Sequence, residues 1–194
     1  DADPLRSFET RTRAFLQLQN GCDHRCTFCV IPLARGPSRS LPLEQGVAQA
    51  RVFAQAGAGE VVLSGVDLTA WGGDLPGTPS LGDLVAAILS GVPNLRRLRL
   101  SSLDPAEIDP HLWQLLGSEE RLMPHLHLSI QSGDDLVLRQ MRRRHRRADV
   151  LRAAQQAQEL RPGTALGADL IAGFPTESDA AFERTLDLVG ACGL

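Results

Sequence analysis

The feature that most restricts how this 194-residue chain can fold is a fivefold alternation of strand-like and helix-like stretches. Leu16 and Leu18 alternate with Gln17 and Gln19 in Ala14–Gln19, the period of a half-buried strand. Ser40 and Pro42 then start a helix with Val47, Ala50 and Ala54 on one face, Gly57 is placed to end it, and Glu60–Ser64 is a second strand. Gly65–Pro79, rich in glycine and proline, reads as a loop, after which Leu81, Leu84, Val85 and Ile88 recur at helical spacing. Leu98 and Leu100 mark a third strand, and Asp109 or Pro110 opens a short helix through Leu116. Leu126, Leu128 and Ile130 alternate with His127 and Ser129 in a fourth strand, and two helical pieces, Asp134–Met141 and Asp149–Leu160, surround an arginine run. Leu166–Ile171 is the fifth strand and Ser178–Val189 a last helix. This pattern, with no repeat in the sequence itself, predicts an α/β fold of parallel strands, either a complete or partial TIM-like barrel or a doubly wound sheet.

In both architectures ligands collect at the carboxyl ends of the strands. Five segments fall there: the loop from Asn20 to Cys29, Gly65-Val66-Asp67, Ser101–Asp104, Gln131-Ser132-Gly133 and Ala172–Glu177. All bear glycine, serine or carboxylate, as a small-molecule site requires. The first is the most specific, because three of the four cysteines, Cys22, Cys26 and Cys29, occur there as C-x3-C-x2-C while Cys192 is far away. A structural zinc site closes with four protein ligands, whereas an iron–sulfur cluster on three thiolates leaves one iron open. Two other readings stand beside that one. Cys26-Thr27-Phe28-Cys29 could be a redox pair or half of a zinc site, and His24 could complete a Cys3His set at the cost of strain in the loop.

Composition sets outer limits. The length suits one domain with a substantial core, and no apolar run approaches the ~18 residues of a membrane span. The start, Asp1-Ala2-Asp3-Pro4, is acidic and unlike a signal peptide, and clustered thiols suit a reducing cytoplasm rather than a disulfide framework. All twenty Lys or Arg residues are arginine, and a net charge of −3 gives no global attraction to nucleic acid. Locally, Arg142–Arg147 packs five guanidinium groups into six residues, either a solvated face or a phosphate- and carboxylate-binding run. Cys192, His24, His125 and His127 read as packing residues, and Glu177 as a cap of the last helix.

The cysteine loop with Phe28 before its last cysteine resembles the cluster loop of radical S-adenosylmethionine (SAM) enzymes. Arg35-Gly36-Pro37-Ser38-Arg39-Ser40, Leu63–Leu68, His125–Gly133 and Asp169–Glu177 are similar to the radical SAM methylthiotransferases over nearly the whole chain. The RGPSRS stretch is most like the enzymes that act on threonylcarbamoyladenosine in tRNA. Leu33, where relatives often carry an aromatic residue, departs from the pattern. The resemblance implies a partial barrel that ends before the family's sixth strand. It further implies that residues 1–194 are the radical SAM core, with an N-terminal auxiliary-cluster domain and a C-terminal RNA-binding domain outside the chain. Such a core is expected to cleave SAM without inserting sulfur.

The same resemblance implies a [4Fe–4S] cluster on Cys22, Cys26 and Cys29, chelating SAM through its open iron. Phe28, Ser64, Gly65, Val66, Asp67, Ser101, Ser102, Gln131, Arg144, Ile171 and Gly173 then become SAM contacts, with Asp67 at the ammonium and Arg144 at the carboxylate. Arg35, Arg39, Arg142, Arg143, Arg146 and Arg147 become candidates for RNA phosphates. The implied partners are a tRNA anticodon loop and an electron donor such as flavodoxin or ferredoxin, and no membrane. The alternatives are methylthiolation of another tRNA adenosine or of a ribosomal protein residue, and, outside enzymes, a zinc-dependent RNA-binding module.

Overall fold

The computed structural model describes residues 12–194; the acidic start, Asp1–Pro4, lies outside the described residues. Five parallel rows of strand are laid down in chain order, β1 (Arg13–Asn20), β3 (Glu60–Gly65), β4 (Leu98–Leu100) continued by β5 (Ser102–Leu103), β6 (His125–Gln131) and β7 (Ala165–Leu170). Pairing is β1–β3–β4 in one sheet and β5–β6–β7 in the next, all parallel. Each new strand joins the same growing edge, so no switch of strand order exists and the doubly wound alternative is ruled out. Among the described residues β1 and β7 do not pair, which leaves an open, partial barrel.

The helices cover the outer face. Ala14, Leu16, Leu18, Val61, Leu63, Leu98, Leu100, Leu126, Leu128 and Ile130 pack against α2 (Leu43–Gln55), α3 (Leu81–Gly91), α4 (Pro110–Ser118) and α6 (Arg147–Leu160), forming one continuous core. The expected period-two burial holds in β6 and in β1 as far as Leu18. The remaining elements are α1 (Ile31–Arg35), α5 (Asp135–Gln140), α7 (Asp179–Cys192) and a two-residue strand, β2 (Arg39–Ser40), antiparallel to the end of β1. Helix starts follow local chemistry: Ser80 and Asp83 close a reciprocal capping box on α3, and Asp109, Asp134 and Ser178 cap α4, α5 and α7.

Three sequence expectations needed revision. Ser101–Asp104, expected to follow the third strand, contains a further short strand, Ser102–Leu103, that begins the next sheet. The alternation in β1 fails at Gln19, which is only 1% exposed because the β1–β3 register shifts between Gln17 and Gln19. Glu177 does not cap α7; Ser178 does, and a Glu177 carboxylate oxygen instead accepts from the Gly173 backbone N–H at 2.7 Å. Cys192 is a buried free thiol in the core, as expected.

Candidate cluster and cofactor site

The cysteine loop leaves β1 through Gly21, whose φ of +75° and close approach to Pro37 leave no room for a side chain: a Cβ would lie 1.9 Å from the Pro37 carbonyl oxygen. Cys22 N–H donates to Gly36 O at 3.1 Å, and Thr27 N–H donates to Met141 O at 3.1 Å at the end of α5. Gln19 ties the loop to β3. Its amide donates to Gly21 O at 2.8 Å and to Ser38 Oγ at 2.9 Å, and its carbonyl accepts from Asp67 N–H at 2.8 Å. The loop, the segment between α1 and β2, and the turn after β3 are thus fixed together by one buried side chain.

All three thiols border two cavities. The inner one, about 170 Å³, is lined by the three cysteines, His24, Phe28, Ile31, Val66, Asp67, Ser102, Asp104, Ser129, Gln131 and Arg143. The outer one, about 490 Å³, has the three cysteines, Asp23, Arg25, Pro32, Leu33, Gly36, Pro37 and Arg142. Gln131 contributes to the inner cavity from a left-handed backbone, φ +70°, a conformation non-glycine residues hold chiefly where function requires it.

Around the inner cavity, carboxylates and cations interlock. His24 Nε2 lies 2.9 Å from Asp67 Oδ2 and 3.7 Å from Glu107 Oε2, and Glu107 also holds Arg144 at 2.6 Å. Hydrogen bonds to Asp67 and Glu107 raise the His24 pKa to about 10. Burial pushes Asp67 up, yet the bond and charge of His24 hold it below the usual carboxylate range. A second knot sits deeper. Arg143 donates to Asp104 Oδ2 at 2.7 Å and to Ser129 O at 3.0 Å, and its Nη1 lies 3.5 Å from Cys26 Sγ. Burial raises Asp104 while His145 and Arg143 beside it more than compensate. His145 Nε2 is 2.9 Å from Ile130 O in the core. Burial, then the Asp67 carboxylate, pushes the Cys22 thiol up to about 11.

The arginine run is solvated at Arg142, Arg144 and Arg146, while Arg143 and Arg147 are partly buried. It is the tight link from α5 to α6, with Arg142 left-handed at φ +58°. That turn sends Arg143 inward, whereas the Arg144 side chain, 56% exposed, pairs with Glu107 at the rim. Arg143, not the expected Arg144, lines the cavity. Arg147 is spent on α7, reaching Gly133 O and Asp187. Arg35, Arg39, Arg142 and Arg146 are exposed.

Of the other expected contacts, Phe28, Val66, Asp67, Ser102 and Gln131 converge on the inner cavity. Ser64, Gly65, Ser101, Ile171 and Gly173 do not line it. Ser64 Oγ turns to Leu16 O, Gly65 packs on Gln19, Ser101 Oγ is buried without a partner, and Ile171 packs with Phe174 against Val137, Met141 and Ala181. Sequence reasoning missed the roles of Gln19, Glu107 and His145, and treated His24 as packing. Only the spacing of acids at strand ends hinted at them.

The residues fit a three-thiolate cluster better than zinc. Among the described residues the tight metal-capable group is Cys22, His24 and Asp67, with a single thiol, so Cys26 and Cys29 do not close a Cys3His set with them. Arg143 presents a guanidinium to Cys26 sulfur and keeps a buried Nε with no partner, a donor available to a bound group.

The chain resembles known proteins in sequence and in fold. A family model described as the radical SAM superfamily matches residues 16–189. The chain is 52% identical over 185 residues to the threonylcarbamoyladenosine tRNA methylthiotransferase MtaB of Rickettsia prowazekii, covering 95% of this chain and 44% of that protein. It is 40% identical over 191 residues to the tRNA-2-methylthio-N(6)-dimethylallyladenosine synthase of Rickettsia rickettsii, covering 97% and 43%. The chain thus spans less than half the length of these relatives. Its fold matches that of TsrM from Kitasatospora setae, a radical S-adenosylmethionine methyltransferase, with a TM-score of 0.75 at 18% identity over 92% of this chain and 34% of that one.

Proposed function

Since the chain belongs to the radical SAM superfamily, we infer that it is the radical-generating core of a tRNA methylthiotransferase, converting threonylcarbamoyladenosine beside the anticodon to its 2-methylthio derivative. The observation that carries this reading is the convergence of Cys22, Cys26 and Cys29 with Asp67 and Arg143 on one cavity, in a chain that shares 52% identity with MtaB.

When bound, a [4Fe–4S] cluster supplies the electron that breaks the SAM sulfonium bond. The chain's own residues do the holding. Cys22, Cys26 and Cys29 anchor the cluster, and Asp67, kept ionised by His24, accepts from the SAM ammonium. Arg143, braced by Asp104, takes the SAM carboxylate, a task its planar fork suits. Phe28 and Val66 form an apolar wall for adenine, and Ser102 and Gln131 offer ribose contacts. Ser64 and Gly65 shape the turn that carries Asp67. Ser101, Ile171 and Gly173 support the surrounding strand ends.

Exposed Arg35, Arg39 and Arg146 are offered to tRNA phosphates, and an anticodon-loop base enters as a splayed nucleotide. The auxiliary cluster and an RNA-binding domain belong to a longer protein, working in a reducing cytoplasm with an electron donor. The 40% identity to the dimethylallyladenosine synthase keeps a second tRNA adenosine as the alternative substrate.

Mass spectrometry of tRNA nucleosides separates the two. Cells lacking the gene should lose methylthio-threonylcarbamoyladenosine, and the intact gene but not Cys26→Ala should restore it. Loss of the methylthio-dimethylallyl nucleoside alone would assign the alternative.

A further inference from the structure

Arg144 has no task in the roles given above, although it stands at the rim of the site. Its Nη1 donates to Glu107 Oε1 at 2.6 Å, and the other oxygen of Glu107 lies 3.7 Å from His24 Nε2, which faces Asp67 at 2.9 Å. Arg144 is thereby tied, through Glu107 and His24, to the wall that receives the SAM ammonium, within electrostatic range of Asp67 and Asp104. The pair is unequal, with Glu107 22% exposed and Arg144 56%. An ion pair as open as this adds little to stability. What Glu107 provides is aim. Among the described residues it engages Nη1 only, which leaves Nε and Nη2, the adjoining donors that grip a carboxylate side-on, without a partner. The neighbouring cations are placed otherwise: Arg143 is closed on Asp104 and the Ser129 carbonyl, and Arg142 lines the outer cavity.

We propose that Arg144 sets substrate choice by receiving the carboxylate that a threonylcarbamoyl group carries on the adenine N6. The proposal rests on the tRNA reading above and deepens it, because the two candidate nucleosides differ most in charge. Threonylcarbamoyl bears a carboxylate, whereas dimethylallyl is a hydrocarbon. On the adenine ring C2 and C6 are separated by N1 alone, so a base that brings C2 to the cavity holds its N6 substituent on the same edge, against the rim. A carboxylate arriving there meets the open Nε–Nη2 fork, while Glu107 keeps it off the occupied edge. A hydrocarbon arriving there takes water from the guanidinium and returns no hydrogen bond. Discrimination thus has two parts, a bond formed with the right substituent and a desolvation cost imposed on the wrong one.

The test measures how the full-length, cluster-loaded protein, with SAM and without reductant, binds three anticodon stem-loops that differ only at the modified adenosine. One carries threonylcarbamoyladenosine, one its threoninol analogue lacking the carboxylate, and one dimethylallyladenosine. The unaltered protein should bind the first roughly tenfold more tightly than the other two. In Arg144→Gln that preference should vanish through loss of affinity for the first stem-loop alone, and Arg144→Lys should restore part of it, as a point charge without the fork. Equal weakening of all three stem-loops in Arg144→Gln would mark a merely structural role and overturn the proposal. So would a preference for the carboxylate that survives the substitution. Equal binding of the first two stem-loops by the unaltered protein would overturn the proposal alone, whereas a preference for dimethylallyladenosine would overturn the substrate reading and the proposal with it.

Discussion

Arg143 does more within the site than any other single side chain. It neutralises Asp104, closes on the Ser129 carbonyl and turns a guanidinium edge to Cys26, all with only 9% of its side chain exposed. Arg143→Met should therefore destabilise the protein by about 3 kcal/mol, because Asp104, 4% exposed, keeps a buried charge with one cation fewer. Urea unfolding of the variant measures this directly, and a change under 1 kcal/mol would show that the pair contributes little. Glu60 is a second buried acid, at the opposite end of β3, ringed by Arg13 at 3.0 Å, Arg97 at 3.3 Å and Arg99 at 2.7 Å. Burial raises its pKa, but the three arginines together hold it below the ordinary glutamate value. A depressed carboxyl adds stability above its unfolded pKa and loses it as pH falls through the folded value. Stability should thus decline below about pH 4.5, and Glu60→Gln should flatten part of that decline while costing about 1–3 kcal/mol at pH 7. An unchanged acid limb would remove Glu60 from the account. None of these ion pairs was legible in the sequence, since residues far apart in the chain pair only once the strands are in register.

Elements were easier to read than their junctions. Long periodic stretches gave β6, α3 and α6 to within about three residues because burial on one face imposes the pattern, and β3 was as plain from its continuous apolar run. The short pieces escaped notice: α1 has no buried residue, β2 is two residues long, and the β4–β5 break at Ser101 leaves no mark on apolar spacing. Gly21 shows what such junctions depend on. A side chain there would strike the Pro37 backbone, and a left-handed residue other than glycine costs a further 1–2 kcal/mol or so. Gly21→Ala should keep the barrel core yet misplace the cysteine loop, giving near-native circular dichroism with iron content after reconstitution below about half. Full iron loading would show that the Gly21–Pro37 contact is dispensable.

At the scale of the molecule, strands added in chain order bring five loops to one end, and the three cysteines enter from the first of them. Legibility was highest here for the fold, since the βα alternation said where a ligand site must lie, and the cysteine spacing suggested an under-ligated metal centre there. Choosing the barrel over the doubly wound sheet required the strand order, and choosing Arg143 over Arg144 required the left-handed turn at Arg142. The central claim is that the three thiols hold a cluster which cleaves SAM. Anaerobic reconstitution of the 194-residue chain with iron and sulfide, followed by metal analysis and reduction in the presence of SAM, tests it most directly. The account predicts a brown protein with about four irons per chain that releases 5′-deoxyadenosine. A colourless protein with one zinc per chain and no SAM cleavage would contradict it.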